Sequence, residues 1–130
     1  MPVLETLTAT ELRLAVTRFR DALRAHQEEL NRLNVYPVPD GDTGTNMMLT
    51  LESVANELRT AETMDEVCTA IAHGSLMGAR GNSGVITSQI LRGLVESFRG
   101  RTEVGAVETV AALRRAADAA YQAVMRPVEG

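Results

Sequence analysis

The sequence contains no lysine and no tryptophan, and aromatic residues make up only 3% of its 130 residues. Without lysine, a Walker-type phosphate loop is excluded, because that loop requires a Lys. The formal charge of −4, combined with so few aromatic rings, argues against nucleic-acid binding, which depends on basic faces and stacking side chains.

Cysteine and long apolar runs are also scarce. Cys68 is the only cysteine, which excludes an internal disulfide and a cysteine-based zinc site. No apolar stretch reaches the roughly 18 residues of a membrane span, and no basic segment followed by an apolar run marks a signal peptide. The sequence therefore predicts a cytoplasmic protein without a transmembrane segment.

The apolar residues that are present, 45% of the chain, indicate a single all-α domain. Because aromatic residues are so few, Ala, Leu, Val and Met must fill the interior, a set that suits closely packed helices better than a sheet. Capping boxes at Thr8/Glu11 and Thr63/Glu66 mark two helix starts. Apolar spacing predicts five helices in an antiparallel bundle and no strand: Thr8 to about Asn31, about Thr45 to Arg59, Thr63 through Ser75, 85–98, and one after Gly105 that ends at Pro127.

Each predicted helix has an apolar face that we expect to be buried. The first carries Leu12, Val16, Phe19, Leu23, Leu30 and Leu33; the fourth carries Ile86, Ile90, Gly93/Leu94 and Phe98; the fifth carries Val110, Leu113, Ala117, Tyr121 and Val124.

The first unusual connection, residues 34–46, reads Asn-Val-Tyr-Pro-Val-Pro-Asp-Gly-Asp-Thr-Gly-Thr-Asn. Its two prolines stiffen an extended approach, in which side chains at i and i+2 point the same way. Asp40 and Asp42 would then converge, and a cation would relieve their repulsion. Oxygen ligands favour Mg²⁺ or Ca²⁺, and the helix that follows begins with an N-terminus that attracts anions.

This segment has two other interpretations. An EF-hand loop starting at Asp40 fails, because Gly44, Thr45 and Leu51 would occupy the fifth, sixth and twelfth positions. A purely structural role, an Asp-Gly turn with a helix N-cap, stays open on these residues alone.

The second unusual connection, residues 74–84, carries glycines at 78, 81 and 84 and leads into the fourth predicted helix. Glycines expose backbone N–H groups, and together with a helix N-terminus they form a phosphate cradle. A flexible interhelical turn with Ser83 as the N-cap is the alternative. Metal ligands in one segment and phosphate-binding amides in the other are what a nucleotide with Mg²⁺ requires.

The run from Asn34 to Asn46, followed by Gly-Ala-Arg-Gly-Asn-Ser-Gly-Val-Ile-Thr-Ser-Gln over 78–89, resembles the bacterial fatty acid kinase A type (DAK phosphatase or DegV-associated kinase domain). That type is a branch of the dihydroxyacetone kinase L-subunit (DhaL) family. The resemblance covers essentially the whole chain, and it implies an antiparallel barrel of about eight helices that binds ATP with Mg²⁺ at one end.

The resemblance also implies site residues. Asp40 and Asp42 would ligate Mg²⁺, and Asn34 stands where dihydroxyacetone kinase relatives carry a third Asp. The implied nucleotide contacts are Thr43, Thr45, Asn46, Gly81, Asn82, Ser83 and Gly84, with Arg80 as a helper. The implied cofactors are ATP or ADP and a pair of Mg²⁺ ions. No residue is expected to form a covalent intermediate.

The implied activity is that of a two-component kinase (fatty acid kinase-like or glycerone kinase-like). Its acceptor, a fatty acid or a dihydroxyacetone-like substrate, would be held by a separate protein such as a DegV-like fatty-acid-binding partner. Five helices where eight are expected indicate a DhaL-like domain over 1–130 that is truncated on its C-terminal side. We therefore expect exposed apolar surface, which would allow a homodimer, and weak or absent catalysis by this piece alone. The alternative is an inactive helical interaction module that retains the fold.

Overall fold

The computed structural model describes residues 6–33 and 41–125, and these form a predominantly helical domain. Asn34 and Asp40 lie outside the described residues. The elements in chain order are β1 (Leu7–Thr8), α1 (Ala9–Ala25), α2 (Gln27–Leu33), α3 (Thr43–Leu58), α4 (Met64–Gly78), α5 (Gly81–Glu96), β2 (Glu103–Val104) and α6 (Ala106–Met125).

Both predicted capping boxes are confirmed. At the start of α1, the Thr8 N–H donates to Glu11 Oε2 at 2.9 Å. At the start of α4, the Thr63 N–H donates to Glu66 Oε1 at 3.0 Å, and the Glu66 N–H donates to Thr63 Oγ1 at 3.1 Å. The N–H groups of Thr63 and Glu62, which both donate to the Glu66 carboxylate, lower the pKa of Glu66 below its ordinary value.

The first predicted helix is in fact two. It ends at His26, whose backbone (φ −109°, ψ 14°) departs from helical values, and α2 starts again at Gln27. The described part of the chain therefore has six helices, where five were predicted. The expected burial was wrong at Phe19 and Leu33, which are 40% and 74% exposed.

The prediction of no strand was also wrong on a small scale. The two-residue strands β1 and β2 pair antiparallel, with Leu7 opposite Val104 and Thr8 opposite Glu103. This pairing ties the segment before α1 to the segment before α6.

Helix α3 packs against α1, α2, α4 and α5, and is the centre of the domain. Its inner face, with Leu51 and Val54 fully buried, meets Val67 and Ile71 of α4. Two glycines of α4 allow this close packing: a Cβ on Gly74 would lie 2.8 Å from the Val54 Cα, and Gly78 faces Ser53.

The predicted inner faces of the later helices need correction. On α5 the buried residues are Gly84, Thr87, Ser88, Leu91 and Val95, while Ile86 and Ile90 are only partly buried. On α6 the buried residues are Ala112 and Ala116, and all five predicted core residues are exposed: Val110, Leu113, Ala117, Tyr121 and Val124. No helix within the described ranges is long and apolar enough to cross a membrane.

Candidate functional site

The two segments singled out in the sequence meet in the structure. Asp42 is the N-cap of α3, and the first turn of α5 lies beside it. The Ser83 hydroxyl of α5 donates to the Thr43 carbonyl of α3 at 3.4 Å. Two helix N-termini therefore lie next to each other, and each carries N–H groups without partners inside its own helix.

A second contact between these helices involves Asn46 and Gly81. Gly81 has a φ of +64°, and a Cβ at this position would lie 2.6 Å from Asn46 Nδ2. The Asn46 amide thus occupies the space that a side chain at residue 81 would need. The left-handed backbone favours glycine here, and any larger residue would also displace the Asn46 amide.

Thr50 of α3 is buried next to the junction, the contact between the N-terminal turns of α3 and α5, and no local sequence pattern marks it. Its hydroxyl donates to the Asn46 carbonyl at 2.8 Å and lies 3.4 Å from the Gly78 carbonyl. A Cβ on Gly84 would lie 2.7 Å from Thr50 Oγ1. Gly84 is therefore a packing residue that lets α5 approach α3, and it is buried.

The glycine run differs from the predicted turn. Only Ala79 and Arg80 separate α4 from α5, and Gly81–Gly84 is the first turn of α5. Arg80 is the N-cap, so the interpretation of Ser83 as N-cap is wrong. The first turn of α5 has N–H groups at residues 81–83 that make no intrahelical bond, since the first such bond runs from the Gly84 N–H to the Arg80 carbonyl.

Thr45 is engaged by α2, which sequence reasoning did not foresee. Its hydroxyl accepts from Gln27 Nε2 at 2.8 Å and from Asn31 Nδ2 at 3.0 Å. Its N–H donates to Asn31 Oδ1 at 3.1 Å. Gly44 allows this approach, because a Cβ there would lie 2.9 Å from the Leu30 Cβ.

The Asp42 carboxylate makes no capping hydrogen bond, and it has no ion-pair partner among the described residues. Asp42 is half-buried. Within the described ranges, no group of three or more His, Cys, Asp or Glu side chains could hold a metal ion. A single available carboxylate beside unpaired helix N–H groups fits a hard cation that also takes oxygens from a bound phosphate.

The structure brings together Asp42, Thr43, Asn46, Gly81, Ser83 and Gly84. Asn82 and Arg80 are exposed in the same turn of α5. A separate groove of about 480 Å³ lies between α4, α5 and α6, against Gln89, Arg92 and Gly93. It opens along the middle of α5 rather than at its first turn, so it is not part of this junction.

A family model described as the DAK2 domain matches residues 37–130 of the chain. Protein YloV of Bacillus subtilis is 50% identical over 110 residues, which are 83% of this chain and 20% of that protein. Uncharacterized proteins of Staphylococcus haemolyticus and Staphylococcus aureus are 47% and 45% identical over 103 residues, 78% of this chain and 19% of each relative. The chain thus spans about a fifth of the length of these curated relatives.

Proposed function

Because the chain belongs to the DAK2 domain family, the ATP-binding domain of DAK-type kinases, we propose that it binds ATP with Mg²⁺ at the N-termini of α3 and α5. The observation that carries this proposal is the bridge from Ser83 to the Thr43 carbonyl, which holds the two N-termini side by side. Each N-terminus carries a partial positive charge, so the pair favours an anion with several oxygens, such as a triphosphate.

Within this site we assign the phosphate contacts to the first turn of α5, residues 81–84, with Thr43 and Asn46 facing them from α3. The cation ligands are Asp42 and, from the segment outside the described residues, Asp40 and Asn34. Thr45 serves the site through the backbone of α3, since its hydroxyl and N–H are engaged by α2.

The reaction that such a site supports is transfer of a phosphoryl group. Bound Mg²⁺ would neutralise charge on the phosphates, and the chain would contribute positioning and fixed N–H dipoles. We propose that the acceptor is the carboxylate of a fatty acid, or a dihydroxyacetone-like hydroxyl, held by a separate protein. The chain spans about a fifth of the length of the relatives it matches, so the acceptor, the partner and catalysis are proposed here and do not follow from those matches.

Thermal unfolding with and without ligand tests the binding step. At an ATP·Mg²⁺ concentration of about 100 times Kd, the folded state should gain roughly 2.7 kcal/mol of stability. ATP with a chelator in place of Mg²⁺ should give a smaller rise in Tm. No change in Tm with either mixture, in a chain whose helicity is intact, would favour the alternative of an inactive interaction module.

Replacing Asp42 tests the assignment of the metal. Asp42→Ala should remove the Mg²⁺-dependent part of the Tm rise while leaving the helical circular dichroism signal unchanged. Asp118→Ala is the matched control, because Asp118 is an exposed carboxylate on α6, remote from the junction. Equal Mg²⁺ responses in the two variants would contradict the role assigned to Asp42.

A further inference from the structure

The first turn of α3 is capped from another helix. Thr45 is the third residue of α3, and its N–H has no partner within its own helix. Asn31 of α2, fourteen residues earlier in the chain, accepts this N–H through Oδ1 at 3.1 Å. A side chain of α2 therefore takes the place that an N-cap side chain normally fills.

Asp42 occupies the N-cap position but does not act as a cap. An Asp at this position ordinarily accepts the N–H of the second or third helical residue, which contributes about 1 kcal/mol to stability. Here Asp42 makes no such bond, although its backbone carbonyl accepts the first helical hydrogen bond from the Asn46 N–H at 2.9 Å. The N–H that it would most readily accept is already taken by Asn31.

The position of Asn31 is fixed by further contacts. Its Nδ2 donates to Thr45 Oγ1 at 3.0 Å, so both ends of the amide bind one residue. Gln27, one turn earlier on α2, donates to the same hydroxyl at 2.8 Å. The backbones of α2 and α3 also approach so closely at Gly44 that a Cβ there would meet the Gln27 carbonyl and lie 3.1 Å from Asn31 Oδ1.

We propose that Asn31 is a positioning residue that caps α3 in place of Asp42 and thereby leaves the Asp42 carboxylate available to a divalent cation. The capping half of this inference stands on the hydrogen bonds alone. The cation half rests on the proposed function, since it requires that Mg²⁺ binds at this junction.

A double-mutant cycle without nucleotide or metal tests the capping half. In Asn31→Ala the Thr45 N–H loses its acceptor, and the Asp42 carboxylate is close enough in sequence to take it over. Asp42→Ala alone removes no capping bond. The double variant loses both acceptors, so its urea midpoint should fall by more than the sum of the two single effects.

Gln27→Ala is the matched control for this cycle. It also removes a hydrogen bond to Thr45 Oγ1, but it leaves the Thr45 N–H bound to Asn31. Its effect should therefore add to that of Asp42→Ala without coupling. Additive midpoints in the Asn31 cycle, or equal coupling in the Gln27 cycle, would overturn the capping half.

The Mg²⁺ dependence of the ATP-induced rise in Tm tests the cation half. In Asn31→Ala the Asp42 carboxylate must give up its new bond to the Thr45 N–H before it can bind metal. The Mg²⁺ concentration at the midpoint should therefore rise about fivefold, the change in equilibrium constant that corresponds to the free energy of one N-cap hydrogen bond. Gln27→Ala should keep the parent midpoint. Asn31→Asp, which retains an acceptor oxygen, should give a midpoint at or below that of the parent chain.

These measurements separate the two proposals. If the double-mutant cycle shows coupling but the Tm of the parent chain does not respond to Mg²⁺, both the proposed function and the cation half are overturned. The capping of α3 by Asn31 would still be established. A parent chain that responds to Mg²⁺, with the same midpoint in Asn31→Ala, would overturn the cation half while the proposed function stands.

Discussion

At the scale of single residues, Gly81 is constrained both by its positive φ and by the nearby Asn46 side chain, and a comparison with Gly100 separates these two effects. Its φ of +64° disfavours any residue with a Cβ by about 1–2 kcal/mol. Its Cβ position is also filled by the Asn46 amide, 2.6 Å away. Because that amide is the end of a side chain, it can move aside when residue 81 carries a Cβ. The clash would then displace Asn46 within the proposed binding site and would add little to the loss of stability.

We therefore predict that Gly81→Ala lowers the free energy of unfolding by about 1–2 kcal/mol and also weakens the ATP-induced rise in Tm. Gly100→Ala is the control, because Gly100 has a φ of +80° with no atom within 4 Å of its Cβ position. It should lose a similar amount of stability and keep the full response to ATP. A normal ATP response in Gly81→Ala would show that the position of Asn46 does not matter for binding.

Residue types in the two segments predicted that they lie side by side, and the contact between Ser83 and the Thr43 carbonyl joins them in the structure, while the roles assigned to their residues stay predictions. The sequence could not reveal Asn31 or Thr50. Asn31 binds a residue fourteen positions away, and an Asn on a short polar helix has no distinctive local pattern. Thr50 matters because a glycine of another helix lies against it, which only the packing of α3 and α5 defines.

At the scale of helices, local spacing predicted most of the elements but not all of their limits. Helix α4 begins directly after Thr63, the first residue of the capping box that predicted it, since that signal is local. Helix α5 begins at Gly81, four residues before the predicted start, although glycines are poor helix formers. Contacts of that first turn with Asn46 and Thr50 of α3 override the weak local preference.

The crossing of α5 and α6 depends on Gly93. A Cβ at residue 93 would lie 2.9 Å from the Arg115 carbonyl oxygen and 3.1 Å from the Ala119 Cβ. The first of these is backbone, so it cannot move without shifting α6. The glycine therefore sets the distance between the two helices.

We predict that Gly93→Ala destabilises the chain by about 1–3 kcal/mol, the usual cost of overpacking. The sign of the change is decisive, because alanine is the better helix former by about 1 kcal/mol. If α6 did not press on residue 93, the same substitution would raise stability. Urea unfolding of the parent chain and the variant measures the difference, and a higher midpoint in Gly93→Ala would contradict the close packing.

At the scale of the whole molecule, α6 has an apolar side without a partner among the described residues. Its exposed apolar side chains are Val107, Val110, Leu113, Tyr121, Val124 and Met125. The sequence predicted both an apolar stripe on this helix and exposed apolar surface, and in the structure the stripe residues Val110, Leu113, Tyr121 and Val124 contribute to that exposed surface. The spacing of the stripe identified a helix correctly, but spacing alone cannot say which apolar face is covered.

Cys68 lies in the buried core of the domain, and the reactivity of its thiol depends on whether that core is closed. It is fully buried at 0% exposure, and burial raises the pKa of its thiol from 9.0 to about 11, with a smaller opposing effect from Arg99. The thiolate is the reactive form of cysteine. A thiol reagent at pH 8 should therefore modify the protein only when the core opens.

The same shift makes stability depend on pH in a defined direction. The folded pKa lies above the unfolded one, so the thiol of the unfolded chain ionises first as the pH rises. The contribution of Cys68 to stability is therefore fully present below pH 9 and is lost as the pH rises from 9 towards about 11. The loss should be on the order of 2 kcal/mol. Urea midpoints measured across this range should fall in the parent chain and fall less in Cys68→Ala. Parallel pH profiles in the two proteins, or rapid labelling of the folded chain at pH 8, would show that the thiol is not held in a closed core.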